Sequence, residues 1–162
     1  MRVTMLATAA LAFSLSACQG TTPDAANAQG ASGAAPEVEF LSTPERRAAG
    51  LPFSEAVRVG NMLYLSGQLG AAPGTMAVVE GGIQAETRQT LENIKTVLER
   101  YGSSMDRVVK CTAMIDDMSE WPAMNEIYAE YFPGPKPARS AFGADGLALG
   151  AKVEIECWAT VD

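Results

Sequence analysis

Nine residues near the C-terminus restrict this chain more than any other feature. Between Val153 and Val161 the odd positions Val153, Ile155, Cys157, Ala159 and Val161 are all apolar or small, while Glu154, Glu156, Trp158 and Thr160 fall between them. A period of two sends the two sets to opposite faces of a β-strand. One face must pack into a core, so the chain has to supply a sheet and something to cover it.

The rest of residues 37–162 supplies both. Val57 to Leu69 reads as two strands turned at Gly60-Asn61, residues that tolerate the positive φ of a tight hairpin. In the second strand Leu63, Leu65 and Leu69 are expected on one side, and Met62, Tyr64, Ser66 and Gln68 on the other. Gly70 to Gly82 reads as a loop. Thr87, Leu91, Ile94, Leu98 and Tyr101 recur at helical spacing, predicting a helix from about Ile83 to Tyr101 that Gly102 ends. Arg107 to Ile115 is a predicted strand with Val109, Cys111, Ala113 and Ile115 on its core face.

Ser119 is the expected N-cap of a second helix, which carries Trp121, Met124, Tyr128 and Phe132 on one side. Trp121 and Tyr128 both read as core there. Pro133, Pro135 and Pro137 stop that helix and lead into an extended Arg139 to Phe142. The result is a single α+β domain, a mixed sheet with two helices on one face. The second face still carries Met62, Tyr64 and Trp158 beside carboxylates, so strand parity calls for self-association over it, with Glu154 and Ser66 near the interface.

Residues 1–36 have a different character. Arg2 precedes an apolar run, Met5 to Ala17, too short for the ~20 residues a membrane-spanning helix needs. A signal peptide over residues 1–18 fits better. Leu15-Ser16-Ala17-Cys18 resembles a bacterial lipobox, in which Cys18 is lipidated and becomes the N-terminus after cleavage. Residues 19–36 are rich in Ala, Gly, Thr, Ser, Pro, Asn and Gln, without aromatic residues, and read as a flexible tether. The expectation is an exported domain on the periplasmic side, held to a membrane only through a lipid on Cys18. Gln19 favours the outer membrane in a host with two.

Composition removes several classes of function. There is no histidine, so no Ser-His or Cys-His nucleophile pair is available. Acidic residues outnumber basic ones 19 to 12, a net charge of −7 that becomes −8 once Arg2, the leader's one charged residue, is removed. That charge, without a basic stripe interleaved with aromatics, argues against nucleic acid. Cys18, Cys111 and Cys157 form no Cys-x-x-Cys pair, so no metal is expected. Cys111 and Cys157 read as buried small hydrophobes, although export leaves a disulfide open to them if their strands are adjacent.

Pro137-Ala138-Arg139-Ser140, followed after a Gly-rich turn by Val153-Glu154-Ile155-Glu156, resembles the signature of the Rid (YjgF) family of imine deaminases. So do Val59-Gly60-Asn61 leading to Ser66-Gly67-Gln68, the segment Thr87-Arg88-Gln89-Thr90-Leu91-Glu92-Asn93, and Asn125 with Tyr128. The resemblance covers about residues 38–162. It implies a chorismate-mutase-like fold, a homotrimer with sites in clefts between subunits, and cofactor-free hydrolysis of small enamines and imines to 2-keto acids and ammonia.

An imino acid's carboxylate must be held, and an arginine fork holds it through two charge-assisted hydrogen bonds. The resemblance gives Arg139 that role. Water must be oriented and partly deprotonated beside the imine carbon, which a carboxylate can do, and Glu154 takes that part. Ser66, Gly67 and Ala141 would line the pocket through backbone groups, with Asn125 nearby. Ala141 stands where relatives often have cysteine or threonine. Phe53 stands where many have tyrosine, which removes a hydroxyl and makes the pocket more apolar. Glu156 reads as an edge charge only.

Export also favours a different reading, a module that binds small carboxylates at the envelope and performs no chemistry. A ribonuclease activity has been attached to such proteins too, but the acidic charge and absent histidine argue against it.

Overall fold

The computed structural model describes residues 35–162. The leader, the lipobox with Cys18 and most of the tether lie outside the described residues.

The strands are β1 (Val38–Leu41), β2 (Ala56–Val59), β3 (Met62–Leu65), β4 (Gln68–Leu69), β5 (Val108–Ile115), β6 (Ala138–Gly143) and β7 (Val153–Thr160). They form one sheet in the order β1-β2-β3-β7-β5-β6, with β4 also paired to β7. Only β5 and β6 run parallel; the other pairings are antiparallel. The alternating C-terminal strand therefore sits near the centre, as a strand with one strictly apolar face should. Val153, Ile155, Cys157 and Ala159 are all fully buried.

Two helices cover that face, α2 (Gly82–Arg100) and α3 (Trp121–Glu130), and a short α1 (Pro44–Ala48) precedes β2. Leu91, Ile94 and Leu98 of α2 and Met124 of α3 pack with Leu63, Ile115 and Ile155 of the sheet. Gly102 ends α2 at φ 84°, and the amides of Gly102 and Ser103 reach back to Glu99 and Leu98, satisfying carbonyls the helix leaves open. Asn93 Nδ2 donates to the carbonyls of Leu69 and Ala71, so α2 also holds the loop that follows β4.

Four local expectations are overturned. A register shift between Val108 and Lys110 in the β5–β7 ladder turns Val109 out to solvent and Val108 into the core. A second one-residue shift separates the Tyr64–Trp158 pairing from the Gln68–Ile155 pairing, so Gln68 is buried and Leu69 joins the face of Glu154. Strand parity read straight through a bulge inverts everything beyond it. Asp117, not Ser119, supplies the cap, its carboxylate accepting from the Ser119 amide at 2.8 Å to start a 3₁₀ turn, Met118–Glu120, that leads into α3; Glu120, the N-cap position of α3 itself, makes no side-chain cap. That turn rotates Trp121 off the core face, leaving it exposed.

Cys111 and Cys157 face each other across β5 and β7 and form a disulfide, both side chains fully buried. Of the two readings open to them, the structure takes the bonded one.

Among the described residues no element covers the opposite face of the sheet. Phe40, Val57, Tyr64 and Trp158 line up on it across β1, β2, β3 and β7, with Phe142 of β6 and Met114 of β5 further along. Tyr64 and Trp158 meet edge to face at 5.2 Å, yet Phe40 is 72% and Trp158 40% exposed.

Candidate active site

The residues singled out from sequence fall into two groups, on opposite faces of the sheet. Arg139 lies on β6, an edge strand of the sheet, opposite Cys111 of β5. Residues in register share a face, so Arg139 and Ala141 project with Cys111 and Ala113 toward the helices. There Arg139 donates from Nη2 to Asn125 Oδ1 at 2.6 Å, and its guanidinium lies 4.5 Å from the centre of the Tyr128 ring.

A long, flexible cation is thus held by an amide on one side and an aromatic face beneath. Asn125 and Tyr128 are three residues apart on α3 and so present to the same side. The Tyr128 hydroxyl is buried without a hydrogen-bond partner, and that burial pushes it up to about 12, against the opposing pull of Arg139. Sequence reasoning took Tyr128 as core alone. It is buried, but it is also the surface on which Arg139 lies; its three-residue spacing from Asn125 was the available signal.

Glu154 belongs to the other group. On β7 it pairs with Met114 of β5 and Leu69 of β4, and projects to the face away from the helices. It is half-buried, and that desolvation, reinforced by the negative charge of Glu156, raises its pKa above the ordinary carboxylate value. Glu156 therefore acts on the site, although only an edge role was expected of it.

Gly67 sits directly against Glu154: a Cβ there would lie 1.8 Å from Glu154 Oε1. No side chain can occupy position 67 while the carboxylate keeps its place. Ser66 precedes it, its hydroxyl donating to the Ser54 carbonyl at 2.6 Å, which ties this bend to the segment carrying Phe53. Phe53 is 52% exposed and, with Leu51 and Arg46, borders two cavities, one of about 620 Å³ that reaches Ser66 and one of about 560 Å³ that reaches Gly67.

The anchor of that segment escaped sequence reasoning. Glu55 is 2% exposed and takes bonds from Arg46 at 3.1 Å, Arg100 at 2.7 Å and the Tyr101 hydroxyl at 2.7 Å. A buried carboxylate with three partners fixes the residues around it. Here it fastens α1 and the Phe53 segment to the end of α2.

Arg139 and Glu154 are thus separated by β5, displaced by three residues along the strands, and aimed at opposite faces. Within one chain they cannot hold the same small molecule. Each is nonetheless in a defined setting, a guanidinium held by an amide and an aromatic ring on one face and a partly desolvated carboxylate on the other.

Fold and site together define a small α+β protein that carries an arginine held by Asn125 and Tyr128 on one face of its sheet and a half-buried glutamate on the other. The family described as endoribonuclease L-PSP matches residues 43–161. The chain belongs to that family, the Rid (YjgF) family. It is 42% identical over 123 residues to Reactive Intermediate Deaminase A, chloroplastic, of Arabidopsis thaliana, a match covering 76% of this chain and 66% of the plant protein. It is 40% identical over 118 residues to the mouse 2-iminobutanoate/2-iminopropanoate deaminase, covering 73% and 87%. Among solved structures, a Rid-family protein of unknown function from Yersinia pestis superimposes with a TM-score of 0.71 at 39% identity, over 77% of this chain and all of that one.

Proposed function

We propose that this protein hydrolyses 2-imino acids to 2-keto acids and ammonia without a cofactor, as a homotrimer whose sites combine Arg139 of one subunit with Glu154 of the next. The observation that carries this reading is the division of the two chemical roles between opposite faces, in a chain about 40% identical to proteins named as deaminases of such compounds. An interface that lays the open face of one sheet near the β6 edge of another reunites the halves and covers Phe40, Tyr64 and Trp158.

The chemistry follows from the residues. Arg139, held by Asn125 and Tyr128, binds the substrate carboxylate, with backbone groups at Ser66, Gly67 and Ala141 completing the cleft. Water adds to the imine carbon while Glu154 takes a proton from it, and the C=N π pair moves to nitrogen. Glu154 then protonates nitrogen, the C–N bond breaks with its electron pair, and the hydroxyl proton leaves with ammonia as the carbonyl forms. A raised pKa suits Glu154 to both transfers, since a catalytic group works best when its pKa lies nearer the working pH. Phe53 brings apolar surface where a tyrosine would bring a donor.

The leader and lipobox support export to the cell envelope, with Cys18 as lipid anchor, and the buried disulfide agrees with an oxidising compartment.

Arg139→Ala and Glu154→Ala proteins, each inactive alone, test the shared site when dissociated, mixed in equal amounts and reassembled. In a random trimer a site is intact only when a Glu154→Ala chain supplies arginine and an Arg139→Ala chain supplies glutamate. About one quarter of wild-type activity should return. No recovery on mixing refutes the shared site, and 2-keto acid binding without turnover by the wild type decides for a carboxylate-binding module.

A further inference from the structure

Four of the large apolar side chains left exposed in this chain, Leu51, Phe53, Met76 and Leu149, line one cavity of about 560 Å³. Its wall includes Gly67, against which the Glu154 carboxylate lies, and Leu69, the cross-strand partner of Glu154. Glu154 does not itself line the cavity; its carboxylate lies against Gly67, which separates the two. Its volume falls in the range of roughly 300–1,000 Å³ typical of small-molecule sites, far more than a three-carbon imino acid fills.

Leu149 is held there against its backbone preference. At φ 60° and ψ 14° it is the one residue other than glycine with positive φ among the described residues. Gly146 and Gly150 in the same loop also take positive φ, without the cost a side chain adds. Strain of this kind persists where the surroundings impose it and clusters at ligand sites.

The charges at the cavity cancel. Arg46 and Arg100 are balanced by Glu55, which both bind, and by Glu45. Asn93, Thr75, Thr96 and Gln68 already donate to backbone carbonyls. Among the described residues the cavity offers no surplus cation to a second carboxylate on a substrate.

We infer that this cavity receives the substrate's side chain and selects 2-imino acids with large apolar side chains, branched aliphatic, thioether or aromatic, over three-carbon and dicarboxylic ones. The inference rests on the hydrolytic reading above. Each methylene placed in an apolar pocket raises kcat/KM by about tenfold or more.

The test uses imines generated in situ by an amino-acid oxidase from leucine, methionine, alanine and glutamate, with keto acid formation measured above the spontaneous rate. The leucine- and methionine-derived imines should show kcat/KM at least about tenfold above the other two. Leu149→Gly removes the side chain and relieves the backbone, so the protein should stay folded on thermal denaturation while the leucine-to-alanine ratio falls several-fold. Equal kcat/KM for leucine- and alanine-derived imines, or a ratio that Leu149→Gly does not move, overturns the inference. Absence of any turnover refutes the hydrolytic reading instead. Calorimetric binding of 4-methyl-2-oxopentanoate against pyruvate then decides the pocket, and equal affinities reject it.

Discussion

Reduction of the Cys111–Cys157 disulfide is expected to cost this domain about 4 kcal/mol of stability. The bond joins residues 46 positions apart, and the chain-entropy relation for a closed loop of that length gives about 13–14 cal/mol/K, or about 4 kcal/mol at 25 °C. Against a total of roughly 5–15 kcal/mol for a domain of this kind, that is a large share. Both cysteines are 0% exposed, so a reductant reaches the sulfurs only when the sheet opens. Guanidinium unfolding of oxidised protein, and of protein reduced in denaturant and refolded under reductant, isolates the cross-link because every atom of the core is retained. The reduced form should unfold at lower denaturant and with a larger m-value, since its unfolded chain is less constrained. A difference below about 1 kcal/mol would refute the reasoning. So would free thiols at Cys111 and Cys157 in protein unfolded without reductant.

Two further predictions bear on the Glu154 half-site. Gly67→Ala places a methyl group 1.8 Å from Glu154 Oε1, so the carboxylate must swing away. A displacement of about 1 Å is expected to lower kcat by about 100-fold with little change in melting temperature, and equal activity would show that Glu154 need not lie there. Glu154 must be ionised to take a proton from water, so kcat/KM should fall as pH drops through a pKa raised above the ordinary 4.5. Burial is the larger cause and Glu156 the second, so Glu156→Gln should move the acidic limb to lower pH. An unmoved or raised limb contradicts the assignment.

The sheet and its helices were legible because their signals are periodic and local. The period of two in Val153–Val161 and the three-and-four spacing of Leu91, Ile94 and Leu98 survive any tertiary arrangement, and all these residues are buried. Parity failed where an extra residue interrupts a ladder, at Val109 and again between Ser66 and Gln68, since no residue type announces a bulge in a single sequence. The disulfide depended on β5 and β7 being neighbours, a long-range fact that two cysteines 46 residues apart cannot supply. Glu55 was invisible because burial of a carboxylate is decided by the arginines that fold onto it. The site residues were read from a family resemblance, but their distribution over two faces follows only from the register of β6 against β5 and β7.

That register links the covalent bond to the site. Cys111 is opposite Arg139 on one side and bonded to Cys157 on the other, and Glu154 lies three residues before Cys157 on the same strand. The disulfide therefore locks β5 against β7 at the position that sets the offset between the two half-sites. A slip by one residue would turn Glu154 into the core and Ile155 out to the open face. In an assembly that builds each site from two chains, such an error would spoil both sites to which the slipped chain contributes. Bracing the β5–β7 pair protects that geometry from within the sheet, while at the open face the bend at Ser66-Gly67 packs against the Glu154 carboxylate.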